Sequence, residues 1–237
     1  MTTSVQFAGF PEEGLRFLEE LKRNNNRDWF QAHKSLYTDY VLRPSQDFVL
    51  AFGEALMSIS EGIEYGNQAS GSGSILRIYR DLRFTKDKRP YNTRIRLFFW
   101  EGTRKRMDNP GFYLLIEPQG GTLYGGMYQF RQPFLDAYRQ AVVDDTLGSE
   151  LEQELAAIRA DGEYEVGGER YKRVPRGYDK AHERVDLLLY KSLYAEAPAI
   201  PREVLVSPAV VDVCLAHCRR MTPLHHWLVR VGKRAGV

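Results

Sequence analysis

The residues best equipped for chemistry are concentrated in one stretch, RIYRDLRFTKDKRPYNTRIR, running from Arg77 to Arg96. Residues 76–106 hold 11 Lys/Arg against 3 Asp/Glu, whereas the whole chain carries only +2. The rest of the molecule is therefore net acidic, and positive charge is focused on one segment. Such a patch raises the local concentration of anions and speeds their encounter. The excess is mainly arginine, whose planar fork captures carboxylate or phosphate through paired N–H bonds. Tyr79 and Tyr91 add flat rings and hydroxyls among the cations. Arg77, Arg80, Arg83, Lys88, Tyr91 and Arg94 are thus the predicted ligand-binding residues. If a reaction occurs there, Lys88, Tyr91 and Asp81 are its acid–base candidates, and the arginines hold developing charge. The competing reading is a solvated sheet face, because Arg and Lys decorate such faces freely.

Two further segments offer a cation to the same chemistry. Asn25-Arg27-Asp28-Trp29-Phe30 joins two predicted helices, either as an ordinary cap with a Trp-Phe anchor or as a polar loop that brings Arg27 to the basic strands. Pro175-Arg176-Gly177-Tyr178-Asp179 precedes a predicted helix, whose free N–H groups attract anions beside Arg176. The same Pro and Gly are equally expected in any sharp turn.

Other chemistries find no foothold. The cysteines, Cys214 and Cys218, share one helix face at i and i+4 and read as small core residues. His225-His226 reads as an exposed pair. With no HExxH and no second Cys pair, neither a metal nor a cofactor is predicted. No Gly-x-Ser-x-Gly elbow occurs. The Gly/Ser-rich stretch 64–74 lacks the Gly-Lys-Ser/Thr of a phosphate loop and reads as a mobile connector.

The elements that must carry these residues follow from periodicity. Leu15, Leu18 and Leu21 predict a helix opened by Pro11. Trp29, Phe30, His33, Leu36, Tyr37, Tyr40 and Val41 trace a second, and Pro44 starts a third bearing Phe48, Phe52, Leu56 and Ile59. From Ile75 the period changes to two, predicting strands at 75–84, 91–100, 111–117 and 122–129 in an antiparallel meander. In the simplest register Phe84 pairs with Tyr91 on the core face, and Asp81 lies near Arg94. Arg80 then falls on the apolar side and must meet a carboxylate, a carbonyl or water. Helices are predicted at 132–144, 149–160 and 181–195, the last capped by Asp179. A small hairpin turns at Gly167-Gly168 within 164–172. The stretch 208–233 reads as helix, broken near Thr222-Pro223. The expected fold is α+β: one domain over residues 1–237, helical at 11–60, mainly β at 75–130 with about four strands, and mainly helical at 131–237.

The run Arg77-x-x-Arg80-Asp81-x-Arg83-Phe84-x-x-Asp87-Lys88-x-x-Tyr91 resembles the signature of an uncharacterised bacterial and fungal family, domain of unknown function 2461. Asn25-x-Arg27-x-Trp29-Phe30, Gly125-Gly126-Met127-Tyr128 and Pro175-Arg176-Gly177-Tyr178-Asp179 are similar to that family too, so the resemblance covers nearly the whole chain. It implies one family-wide domain and brings no activity with it.

Three functions fit. The leading one is a pocket for a small anionic or phosphate-bearing ligand, lined by the hairpin. The second is nucleic-acid binding through the same basic and aromatic face, and the third a protein-interaction module that docks an acidic partner. No apolar run approaches the ~20 residues of a membrane helix, and MTTSVQFAGF lacks the pattern of a signal peptide. With two cysteines, a reducing compartment, the cytoplasm, is expected.

Overall fold

Pro11 fixes its own φ at −61° and ends the extended entry to the first helix, whose first turn carries Glu12 and Glu13 and whose last carries Lys22 and Arg23. That polarity complements the helix dipole. In this computed structural model, which describes residues 7–69, 72–160 and 162–236, the N-terminal part continues as predicted in outline. Helices α1 (Glu12–Arg23), α2 (Arg27–Ala32) and α3 (Lys34–Tyr37) lead through a π-helical turn at Thr38–Leu42 into α4 (Arg43–Leu56). The predicted second helix is thus broken at His33, and Pro44 sits within the first turn of α4. Of the N-terminal stretch MTTSVQFAGF, residues 1–6 lie outside the described residues.

Strands β1 (Ile63–Glu64), β2 (Ile95–Glu101), β3 (Gly111–Glu117) and β4 (Gly120–Met127) follow. After them come α5 (Phe134–Val143), α6 (Asp145–Arg159), β5 (Glu165–Gly167), α7 (Val185–Leu188), β6 (Leu193–Glu196), β7 (Ile200–Pro201), α8 (Arg202–Leu205) and α9 (Val210–Arg234). Hydrogen-bonded neighbours run β1-β2-β3-β4-β6-β5, with β7 also on β4. The fold is α+β, an antiparallel sheet of central strands flanked by N-terminal and C-terminal helices. No described helix is long and apolar enough to cross a membrane.

The chain packs as two compact units, each drawn from three separate segments. The first comprises residues 1–99, 113–123 and 199–216. Its core is a run of packed rings, Phe7, Phe10, Phe48, Phe52 and Phe99, successive centroids 5.0–5.3 Å apart. The connector 64–74 is tied at both ends: Ser74 N–H donates to the Gly66 carbonyl at 2.6 Å and its hydroxyl accepts from Gly66 N–H. Its Ser70 and Gly71 lie outside the described residues.

The second unit comprises residues 100–112, 124–198 and 217–237. Tyr138 and Trp227 are fully buried and meet edge to face at 5.8 Å. Each satisfies its polar atom on a carbonyl, Tyr138 Oη on Leu187 and Trp227 Nε1 on Leu147. Gly126 (φ 145°) has room only for hydrogen, since a Cβ would stand 2.4 Å from the Leu193 carbonyl oxygen of the paired strand.

Four expectations are corrected. The segment 164–172 is no local hairpin, because β5 pairs with β6 at Val166↔Ala195. The helix expected at 181–195 shrinks to α7 and gives way to β6, whose alternate burial marks a strand. Asp179 still accepts from Ala181 N–H, in a turn rather than at a helix start. Pro223 lies inside an unbroken α9, where buried Met221, Leu224, Trp227 and Leu228 hold the helix against the lost hydrogen bond. His225, expected at the surface, is buried with them, whereas Cys214 and Cys218 are core residues as predicted. Burial pushes the Cys214 thiol up to about 12.

Candidate functional site

Residues 75–94 form a paired but irregular hairpin instead of two regular strands. Isolated antiparallel bridges join Ile75 to Leu97 and Tyr79 to Tyr91. Three residues separate the bridges on one arm and five on the other, so the second arm bulges. The predicted Phe84–Tyr91 pairing is displaced, and Phe84 leaves the core face for the tip, where it is 92% exposed.

The cause is local. Asp81 and Asp87 each occupy the first position of an Asp-x-Arg triplet and fold back on the residue two ahead. The Asp81 Oδ1 accepts from Arg83 N–H at 3.1 Å and from Arg83 Nε at 3.0 Å, while Oδ2 takes Arg83 Nη2 at 2.7 Å. Asp87 repeats the pattern on Arg89 at 3.1, 3.0 and 2.7 Å. Side-chain bonds of this kind compete with a sheet ladder for the backbone. They also hold the Asp81 carboxyl down to about 2 and place Asp87 well below the usual carboxylate range.

Arg80 meets both partners that its position demanded, donating through Nη1 to Asp87 Oδ2 at 2.7 Å and to the Arg89 carbonyl at 3.0 Å. Asp81 lies on Arg83 and not beside Arg94, which instead reaches Glu117 at 3.5 Å. Lys88 Nζ donates to the Leu82 carbonyl at 3.1 Å. The Arg77 carbonyl accepts from Arg96 Nη2 at 2.8 Å. Of the acid–base candidates, Asp81 is fully ionised at neutral pH. Tyr91 is only 2% exposed, and burial, with Tyr79 assisting and Arg27 opposing, raises its phenol.

The base of the hairpin is built against α2. Asn25 spans the Tyr91 backbone, donating Nδ2 to its carbonyl at 2.9 Å and accepting its N–H at 3.0 Å. Asn26 caps α2 by accepting from Trp29 N–H. Phe30 stacks on Tyr91 with centroids 4.1 Å apart. Tyr79 packs on both rings, and Tyr37 closes on Phe30. Burial, helped by Tyr79, pushes the Tyr37 phenol up to about 12. The segments Asn25–Phe30 and Arg77–Tyr91 therefore converge, and Arg27 is close enough to act on Tyr91 electrostatically. Arg176 is exposed in the second unit, in a turn around Gly177 (φ 92°).

Two of the four segments that carry the family resemblance, Asn25–Phe30 and Arg77–Tyr91, thus meet in one place. Residues 13–227 match the family described as Conserved hypothetical protein (DUF2461). The chain belongs to that family. No curated protein matches it. The DUF2461 signature residues Asn25, Phe30 and Tyr91 act as scaffold for the hairpin base and Trp29 packs among the helices on Phe17 and His33, whereas Arg83, Phe84 and Lys88 face solvent at the hairpin tip. Sequence reasoning missed Tyr37 as a member of the ring cluster and Asn25 as its clamp. The doubled Asp-x-Arg triplet was the signal that would have revealed the turns.

Proposed function

We propose that the hairpin 77–96 binds phosphate-bearing ligands, and that its natural ligand is an extended one, single-stranded nucleic acid. The observation that carries this reading is Phe84, a ring 92% exposed with the Arg83 guanidinium 5.5 Å from its centroid. Lys86, Lys88 and Arg89 are exposed on the same turn. Aromatic rings interleaved with cations are the sequence-tolerant way to hold a single strand, by base stacking and phosphate contact together. Tyr79, 56% exposed, supplies a second ring near the base. The Asp pairs orient the guanidiniums while leaving N–H groups for phosphate.

Binding of a labelled mixed-sequence oligonucleotide, followed by fluorescence anisotropy, tests the reading. Affinity should fall steeply as salt rises. Phe84→Ala should weaken it about tenfold, in line with ~1–3 kcal/mol per stacked base. Absence of binding at low salt overturns it. A second reading, a small anionic ligand at Arg27, Arg80 and Tyr79, draws support from the nearness of Arg27 to Tyr91. It predicts thermal stabilisation by a mononucleotide that Arg80→Ala removes.

A further inference from the structure

The second unit contains a cleft between the 101–110 segment, Phe134 and the C-terminal turns of α9. It has an empty volume of about 310 Å³, part of it open to solvent, and Glu101, Arg104, Asn109, Phe134 and Lys233 are among its walls. Gly102 and Gly232 also line it, so no side chain fills the space at those two positions. A Cβ at Gly102 (φ 137°) would stand 2.4 Å from Asn109 Oδ1.

The charges in this cleft are unevenly satisfied. Asp108 is paired with Arg131 Nε at 2.8 Å. Arg104 donates Nη2 to the Gln132 carbonyl at a long 3.4 Å, while its Nη1 is buried with no hydrogen-bond partner among the described residues. An orphaned guanidinium N–H in a cleft is costly unless something occupies the acceptor position. Lys233 brings a second cation to the same walls. Opposite in sign stands Glu101, 8% exposed, whose Oε2 lies 3.0 Å from Nε2 of His225. The His225 ring is 0% exposed, stacks on Phe112 at 4.9 Å, and leaves Nδ1 without a hydrogen-bond partner among the described residues. A buried orphan acceptor is less costly than a buried orphan N–H. The neutral tautomer with its proton on Nε2 is therefore favoured, and it donates to Glu101. Burial pushes this imidazole below its usual range, in keeping with a neutral ring.

With Asp108 neutralised by Arg131, the cleft presents two cations and one further carboxylate, Glu101, and such a set selects among anions. A fully ionised tetrahedral anion such as sulfate gains from Arg104 and Lys233 but meets the Glu101 oxygen lone pair to lone pair. An anion that keeps an acidic O–H satisfies all three groups, since that hydroxyl donates to Glu101 while the other oxygens accept from the cations. We propose that this cleft is a site for hydrogen phosphate or a compact phosphate monoester, discriminated from sulfate by Glu101. The inference is independent of the hairpin, which lies in the other unit and is read by oligonucleotide binding.

Isothermal titration calorimetry of the full chain with inorganic phosphate and with sulfate tests the proposal near neutral pH. Phosphate is expected to bind at least about tenfold more tightly than sulfate. Lys233→Ala, at an exposed position that leaves the core intact, should weaken phosphate binding about tenfold or more, and Arg104→Leu at least as much. Glu101→Gln should bring sulfate and phosphate closer together, because the amide offers sulfate an N–H donor. Arg83→Ala and Phe84→Ala, which act on the hairpin, should leave the preference for phosphate over sulfate unchanged. No heat with phosphate up to about 10 mM, equal affinity for the two anions in the unsubstituted protein, or undiminished binding in both Lys233→Ala and Arg104→Leu would each overturn the proposal. Loss of the preference in the hairpin variants instead would assign the phosphate to the hairpin and overturn it equally.

Discussion

Two arginine environments, one in each unit, make opposite use of the same side chain. Arg184 is 5% exposed and spends its guanidinium internally, on Glu152 at 2.9 Å, Glu183 at 2.6 Å, the Ser149 hydroxyl at 3.0 Å and the Val142 carbonyl at 3.4 Å. Gly148 leaves the room for it, since a Cβ there would lie 2.8 Å from Nη1. Arg83 on the hairpin is 77% exposed and makes one bidentate pair with a neighbour two residues away. Buried, the cation is part of the packing, and its removal leaves polar groups without partners. Exposed, its pair is screened by water and ions and contributes little to stability. The difference separates architecture from availability: cations that the fold does not need are the ones free to meet a ligand.

The sharpest way to break this comparison is to delete both side chains. Arg184→Ala should cost about 3 kcal/mol, because the Ser149 and Val142 acceptors stay buried while the half-exposed glutamates rehydrate. Urea denaturation reads the loss as a lower midpoint with an unchanged slope. Arg83→Ala in the same assay should stay within about 0.5 kcal/mol. Equal effects of the two would dissolve the distinction. Next in size is Asn25→Ala, which strips both backbone partners from the buried Tyr91. A loss of about 2 kcal/mol is expected, and it would locate the hairpin base with Arg184 on the architectural side.

How far this division was legible in the sequence depends on the range of the interactions involved. Leu15, Leu18 and Leu21 announce α1, and the alternating burial of β3 over Gly111–Glu117 matches the predicted strand. Both are local patterns. Arg80's need for a carboxylate or carbonyl was also readable, because burying a cation has one physical remedy. The pairing of β5 with β6 was not, since strands of three and four residues gain their identity only from partners distant in the chain, β6 from β4 as well as from β5. The hairpin register failed for a different reason. Alternation places Phe84 inward, but the Asp81 and Asp87 turns outcompete the ladder and carry it outward. His225 was misjudged because a polar letter outweighed its position on the apolar face of α9, between Met221 and Leu228.

A smaller effect sharpens the boundary at Tyr37, whose phenol is held at about 12 in the folded protein against about 10 in an unfolded chain. The folded state binds this proton more tightly. Its contribution is therefore complete below about pH 10 and is lost as pH rises through about 12. Tyr37→Phe keeps the ring and removes the proton. Between those pH values the unsubstituted protein should lose about 1–2 kcal/mol more than the variant, measured by denaturant midpoints across the alkaline range. Other titrating groups, Cys214 included, are common to both and cancel. Parallel curves would mean that Tyr37 is wetter than its place beside Phe30 implies.

The smallest expected effect on stability carries the most functional weight. Phe84→Ala removes a ring that is 92% exposed, so the folded state loses almost no buried apolar area. The change in stability should fall within about 0.5 kcal/mol, and its sign should lean toward stabilisation, since a Phe ring in water gains nothing from folding. A thermal melt and an anisotropy titration on the same variant then separate two explanations of the ring. If the melt is unmoved while oligonucleotide affinity drops, Phe84 is kept for a partner. If the melt falls by 2 kcal/mol or more, in the range for a truncated core aromatic, the ring is packed in solution. The tip of the hairpin would then belong with Arg184 among the structural elements, and the surface cations alone would be left to explain any binding.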